Sequence, residues 1–123
     1  MDDIEPIYFR PAVETRSLSV GRLPLISFDR GELSEIFSIY GRHVATGEWR
    51  DYAIDMLRDR AVFSVFRRST ESPLYRIEKT PKLARRQGLY SVIATTGLIL
   101  KRGHELCRVL QVFDHRRLHI VDA

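Results

Sequence analysis

The hydrophobic rhythm of this chain changes just past Gly47, and that change restricts the fold more than any other feature. Before it, Leu33, Ile36, Phe37, Tyr40 and Val44 recur every three or four residues and share one helical face. Asp29 can cap this helix, Glu32 three positions on completes a capping box, and Gly47 stops it. Gly41 weakens the helix slightly and permits a close neighbour. After Glu48 the period is two: Tyr52, Ile54 and Met56 alternate with Asp51, Ala53 and Asp55. One strong helix followed by strands with short links is buried best by laying the helix across an antiparallel sheet. The expected class is therefore α+β: one main helix packed on an antiparallel sheet of about five strands, with a short second helix.

The rest of the chain fills in that sheet. Ala61 to Arg68 reads as a second strand, apolar on both pleat faces and so central or helix-covered. Leu74 to Lys79 reads as a third, with Tyr75 and Ile77 on one side and Arg76 and Glu78 on the other. Arg58 to Arg60 and Ser69 to Pro73 are the turns of this meander. Thr80 and Pro81 open a short helix that Gly88 closes, with Arg85 and Arg86 near its C-terminal end. Tyr90 to Thr96 is too rich in β-branched residues for a comfortable helix and reads as a strand. Leu98 to Lys101 either continues it past Gly97 or returns beside it.

Leu106 to Phe113 is read as a further strand, although Leu106, Val109, Leu110 and Phe113 also fit a helical face. Leu118 to Val121 is a last, short strand after a link at His115 to Arg117. Residues 1–22, with Pro6, Pro11 and Gly21, form a poorly structured extension in which Ile7, Tyr8 and Phe9 supply at most a short edge strand. Residues 23–123 form a single domain, the size of one hydrophobic core.

The apolar stretch around Gly97 to Leu100 is far short of the roughly 20 residues that cross a bilayer. The opening MDDIEPIYFR carries acids where a secretory leader needs positive charge, so the expected location is the cytoplasm. Cys107 is the single cysteine; it excludes an intrachain disulfide and is expected to be a packed or inert thiol.

Charge is divided unevenly along the chain. Met1 to Leu57 holds 6 basic against 10 acidic residues, a net of −4; Arg58 to Ala123 holds 14 against 6, a net of +8. Nearly all the basic residues are arginine, whose planar fork suits carboxylate or phosphate. Arg67, Arg68, Arg76, Arg85, Arg86, Lys101, Arg102, Arg116 and Arg117 are the candidate partner-binding residues if their elements converge. Phe66, Tyr75 and Tyr90 could stack on bases beside them, though core packing is the commoner use of such rings. The same arginines could instead tie the sheet together through ion pairs.

The polar residues that could line a catalytic pocket are Asp51, Asp55, Arg76, Glu78 and His104. In a strand, Asp51, Asp55 and Trp49 point to one side, and the two carboxylates stand roughly 13 Å apart, too far to share a proton. His43, His104, His115 and His119 form no metal-ligand spacing with each other or with Cys107, so no metal is expected. No glycine-rich nucleotide loop or nucleophile elbow occurs, and no cofactor is expected.

Four stretches carry a family resemblance: FDRGEL at Phe28 to Leu33, YGRHVATGEWRDYAID at Tyr40 to Asp55, FRRSTESPLYRIEKTPKLARRQGLYSV at Phe66 to Val92, and LKRGHEL at Leu100 to Leu106. Through them the chain resembles an uncharacterised family of small alphaproteobacterial proteins, a domain of unknown function, over about Leu25 to Val121. The resemblance implies a compact cytoplasmic bacterial domain and assigns no catalytic residue.

Three functional expectations follow. The first is a noncatalytic binding or regulatory module that uses an arginine-rich face for protein or nucleic acid. The second is an enzyme with a polar pocket around Asp51, Arg76, Glu78 and His104. The third is a self-associating structural protein, paired as a homodimer through Ile99, Val109 or Phe113 at a sheet edge.

Overall fold

In the computed structural model the structure describes residues 24–68 and 72–122, with the backbone alone for 115–122. The extension expected over residues 1–22, and its Ile7–Phe9 edge strand, lie outside the described residues. Helix α1 spans Arg30–Ala45. Strands β1 (Asp51–Met56), β2 (Ala61–Phe66), β3 (Tyr75–Lys79), β4 (Tyr90–Ala94) and β5 (Ile99–Gly103) follow, and helix α2 (Leu106–Asp122) closes the chain. The strands form one antiparallel sheet in sequence order, β1-β2-β3-β4-β5. Every link is short, as an uninterrupted meander requires. The α+β class and the five-stranded antiparallel sheet are as expected.

The capping box at the start of α1 is formed. Glu32 N donates to Asp29 Oδ1 at 2.8 Å, and Asp29 N donates to Glu32 Oε1 at 2.7 Å. The helix ends at Thr46, and Gly47 takes φ +82, a conformation glycine adopts without strain. The buried ridge differs slightly from the expected one. Ile36, Ile39 and His43 are buried with Glu32, whereas Val44 is 40% exposed. Gly41 meets no neighbour where a side chain would begin, so the expected close approach there is absent.

Both helices lie on the face of the sheet that carries Phe63, Val65, Ile77, Tyr90 and Val92. Phe63, Ile36, Ile77, Val65, Val92 and Val109 are the largest fully buried side chains. Trp49 does not share a strand side with Asp51 and Asp55. It sits ahead of β1 and turns into the core, stacked on His43 at 4.2 Å and edge-on to Phe113 at 5.0 Å. His43 Nδ1 lies 3.0 Å from the Ile39 carbonyl, and the His43 carbonyl accepts from the N–H groups of Glu48 and Trp49. This cluster fixes the turn by which the chain leaves α1 and enters the sheet.

Leu106–Asp122 is helix, which corrects the strand readings at Leu106 to Phe113 and Leu118 to Val121. Leu106, Val109, Leu110 and Phe113 are all buried, whereas Cys107, Arg108 and Gln111 are exposed. That pattern follows the helical period. A strand would bury alternate residues and place Gln111 inside with Val109 and Phe113. Cys107 is therefore exposed rather than packed. The short helix after Thr80 is a 3₁₀ turn, Pro81–Leu83. Leu98 returns past Gly97, whose φ is +95, so β5 is a new strand and not an extension of β4.

Candidate functional site

The helices cover one face of the sheet, and among the described residues no helix covers the other. Strand registers set two rows of residues across this open face. One runs Asp55, Val62, Glu78, Ser91, Arg102 from β1 to β5. The next runs Ala53, Ser64, Arg76, Ile93, Ile99. Arg60, two residues before Val62, joins the same face at the β1–β2 turn. Small serines on β2 and β4 leave room for long side chains to lie flat across the sheet.

Glu78 is the centre of this arrangement. Its side chain is only 12% exposed, and guanidinium groups approach it from two sides. Arg76 Nε donates to Glu78 Oε2 at 3.2 Å. Arg60 Nε stands 3.7 Å from Glu78 Oε1, an ion pair beyond hydrogen-bond length. Arg102 lies two strands away from Glu78 in the same row, roughly 10 Å across the sheet. Among the described residues, the Nε atoms of Arg60 and Arg102 are buried without a hydrogen-bond acceptor. An orphaned buried N–H is costly and is usually met by a partner or a ligand. Arg60 is shared with a second carboxylate, Asp59, at 3.1 Å, and the Arg60 and Arg76 side chains remain 40% and 35% exposed.

The structure gathers some of the expected residues and scatters others. Arg76, Glu78 and Arg102 share the open face, and Arg60, which sequence reasoning missed, completes it. The one signal for Arg60 was its two-residue spacing from Val62; the turn that placed it looked like a solvated link. Arg67 and Arg68 follow β2 and are exposed, as are Arg85 and Arg86 after the 3₁₀ turn. Lys101 is exposed on β5 and lines a cleft of about 350 Å³ with Arg102, His104, Glu105 and Arg108, at the corner where β5 meets α2. Arg116 and Arg117 belong to α2, not to a loop.

The catalytic grouping is not assembled. Asp51 pairs in register with Phe66 at one end of the edge strand β1, while His104 follows β5 at the opposite edge. Only Arg76 and Glu78 of that group touch. Asp55 is two strands from Glu78. Among the described residues no group of three or more His, Cys, Asp or Glu is arranged to hold a metal ion. No described helix is long and apolar enough to cross a membrane.

Of the rings considered for stacking on bases, Tyr75 and Tyr90 are on the helix-covered face. Tyr75 meets Phe113 at 5.2 Å, and the Tyr90 hydroxyl donates to Glu32 Oε2. Phe66 alone is on the open side. Glu32 also accepts from Lys79 Nζ at 2.9 Å, so this buried carboxylate joins α1 to β3 and β4. Burial, then the bond to Glu32, pushes the Tyr90 hydroxyl well above the ordinary tyrosine range.

The fold defines an α+β domain whose second sheet face bears arginines and is covered by no described helix, although Val62, Ser64, Glu78, Ser91 and Ile93 on it are buried. The chain belongs to the family described as "Protein of unknown function (DUF2794)", whose pattern matches residues 26–110. No curated protein and no solved structure matches the chain.

Proposed function

We propose that this protein is a noncatalytic binding module whose open sheet face recognises a carboxylate-rich segment of a protein. The observation that carries this reading is the pair of buried Nε atoms, of Arg60 and Arg102, that lack acceptors on the sheet face that also carries Arg76. An arginine fork donates two parallel hydrogen bonds to one carboxylate, which fixes a partner's position as well as attracting it. We take the protein to be a compact bacterial domain of the cytoplasm.

Phosphate is an alternative ligand for the same arginines, and nucleic acid the alternative partner. One feature favours a protein partner over nucleic acid. The rings Tyr75 and Tyr90, which would form a stacking platform, are turned to the helices.

The test is a titration of the full chain with a short polyglutamate peptide, single-stranded DNA and duplex DNA at low salt. The peptide is expected to bind and the binding to weaken with salt. Arg76→Gln and Arg102→Gln are expected to weaken it further, whereas Arg86→Gln is not. Flat curves for the peptide at low salt would rule the reading out; tight, salt-dependent binding of DNA alone would replace it.

A further inference from the structure

We propose that the protein forms a two-fold dimer in which the edge strand β1 pairs with β1 of a second copy, in the register that sets Ile54 opposite itself. The two five-stranded sheets then run on as one, with the helices of both copies on the same side.

The first argument is what the β1 edge leaves unused. β1 is an end strand, and all six of its residues are exposed. Leu57 N donates to the Arg60 carbonyl at 2.9 Å and closes the β1–β2 turn. With the register of the pair, this makes Asp51, Ala53 and Asp55 the residues that exchange hydrogen bonds with β2. The backbone groups of Tyr52, Ile54 and Met56 therefore point away from the sheet. Among the described residues only one of them has a partner: Tyr52 N donates to the exposed Asp51 carboxylate at 2.9 Å. Rotating that one side chain frees it.

Apolar surface gathers at the same edge. Leu25, Val44, Tyr52, Ile54, Met56 and Leu57 are exposed; among the described residues the other exposed large apolar side chains are Leu98 and Ile99. Ile26 N donates to the Leu57 carbonyl at 2.7 Å, which brings Leu25 to the end of β1. Phe37 and Tyr40 of α1 meet Tyr52 at 5.1 and 5.2 Å, so the strip runs from the strand onto the helix above it. The opposite edge carries devices against pairing. β5 has a register irregularity beside Ile99 and bears Lys101 and Arg102, and bulges and basic residues protect an edge. β1 keeps one register from Asp51 to Met56.

Charge then selects the pairing. Hydrogen-bonded partners must both come from Tyr52, Ile54 and Met56, which admits three central registers. Setting Ala53 opposite itself places Asp51 against the partner's Asp55, twice. Setting Asp55 opposite itself joins like charges on the axis. Setting Ile54 opposite itself puts Tyr52 against the partner's Met56, Asp55 against the partner's Ala53 and Asp51 against the partner's Leu57. No carboxylates are then directly opposed, where like charges cost most. The turn after the partner's Leu57 adds two arginines and one aspartate beside Asp51. At each end Arg50 comes level with the partner's Arg58, beyond the paired residues. Asp55 keeps the partner's Asp51 and Asp55 as diagonal neighbours, a repulsion that salt screens. A head-to-tail union of β1 with β5 would join opposite charges, but it meets the irregular edge and never closes. A pair of six-residue strands is small beside the roughly 800 Å² per partner of a stable complex, so the dimer is expected to be weak.

The experiment is sedimentation equilibrium of the full chain over a concentration series. A monomer–dimer equilibrium is expected that tightens as salt is raised, opposite to the salt response of polyglutamate binding. Ile54→Lys is expected to raise the dissociation constant about tenfold or more, and Asp55→Asn to lower it several-fold. The register is read in a Cys107→Ser background by mild oxidation of Ala53→Cys, Ile54→Cys and Asp55→Cys, which also serves if Ile54→Lys does not fold. Ile54→Cys is expected to link fastest, because only there does a residue face its own copy within disulfide reach. Faster linking at position 53 or 55 overturns the register. A dimer that links at none of the three, or a monomer at every concentration, overturns the β1 interface. Growth beyond a dimer overturns the two-fold and points to β1–β5 pairing.

Discussion

At the scale of single residues, three positions show how local chemistry was converted into structure. Gly88 has φ +108, and a Cβ there would stand 2.7 Å from the Gly103 carbonyl carbon and oxygen. Two glycines thus let the start of β4 and the end of β5 touch backbone to backbone. Gly88→Ala should cost more than roughly 2 kcal/mol, since backbone cannot move aside as a side-chain tip can. Gly41 is the opposite case: exposed, mid-helix and unopposed, it has no structural use for its freedom. Gly41→Ala should stabilise the protein by about 0.5–1 kcal/mol in urea unfolding. Tyr90 ties its proton to the fold. Its folded-state affinity for the proton exceeds that of the unfolded chain, so its contribution is complete below the ordinary tyrosine value of about 10 and falls as pH climbs beyond it. Tyr90→Phe should lose about 1 kcal/mol at neutral pH and show a shallower alkaline decline than the parent. Parallel declines would remove Tyr90 as the cause.

At the scale of elements, α2 is where sequence and structure part. An apolar run of Leu106 to Phe113 fits two periods because it is short, and Val109 and Val112 suit a strand. The decision came from partners. β5 is already paired along one edge with β4, and the helical layer beside α1 needed a second member to cover β3, β4 and β5. Leu106, Val109, Leu110 and Phe113 supply that cover. Phe113→Ala should cost about 3–5 kcal/mol, because the ring touches His43, Trp49 and Tyr75. A sharper check compares Leu110→Lys with Gln111→Lys by thermal unfolding. The helix demands that the first be severe and the second nearly neutral; a strand demands the reverse. Val109 and Phe113, considered for a dimer edge, are core side chains. Ile99, considered with them, is 42% exposed on the edge strand β5, and on the other edge strand, β1, Tyr52, Ile54 and Met56 are 42%, 37% and 51% exposed.

For the whole molecule, the sheet divides the work. One face is the core; the other carries charge at fixed spacing. Glu78 moderates that charge, and its removal makes a direct prediction. Glu78→Gln should tighten binding of polyglutamate several-fold by removing the one carboxylate that two arginines already serve. The same change should lower stability, because Arg60 and Arg76 then repel each other without a mediator. Weaker peptide binding by a folded Glu78→Gln protein would instead mean that Glu78 positions the arginines for the ligand.

The chain's local pattern was enough to determine its class, the capping box of α1, the stop at Gly47 and the strands from Asp51 to Ala94, because each rests on neighbours within a few residues. Arg76 and Glu78 could also be assigned to one side of β3 from alternation alone. What the tertiary structure decided were the contacts between residues far apart in sequence: α2 as a helix, Trp49 turned into the core, Arg60 beside Glu78, and Arg102 in Glu78's row two strands away. Periodicity reports which side of its own element a residue faces. Only strand register and helix packing say which other side chains it will meet there.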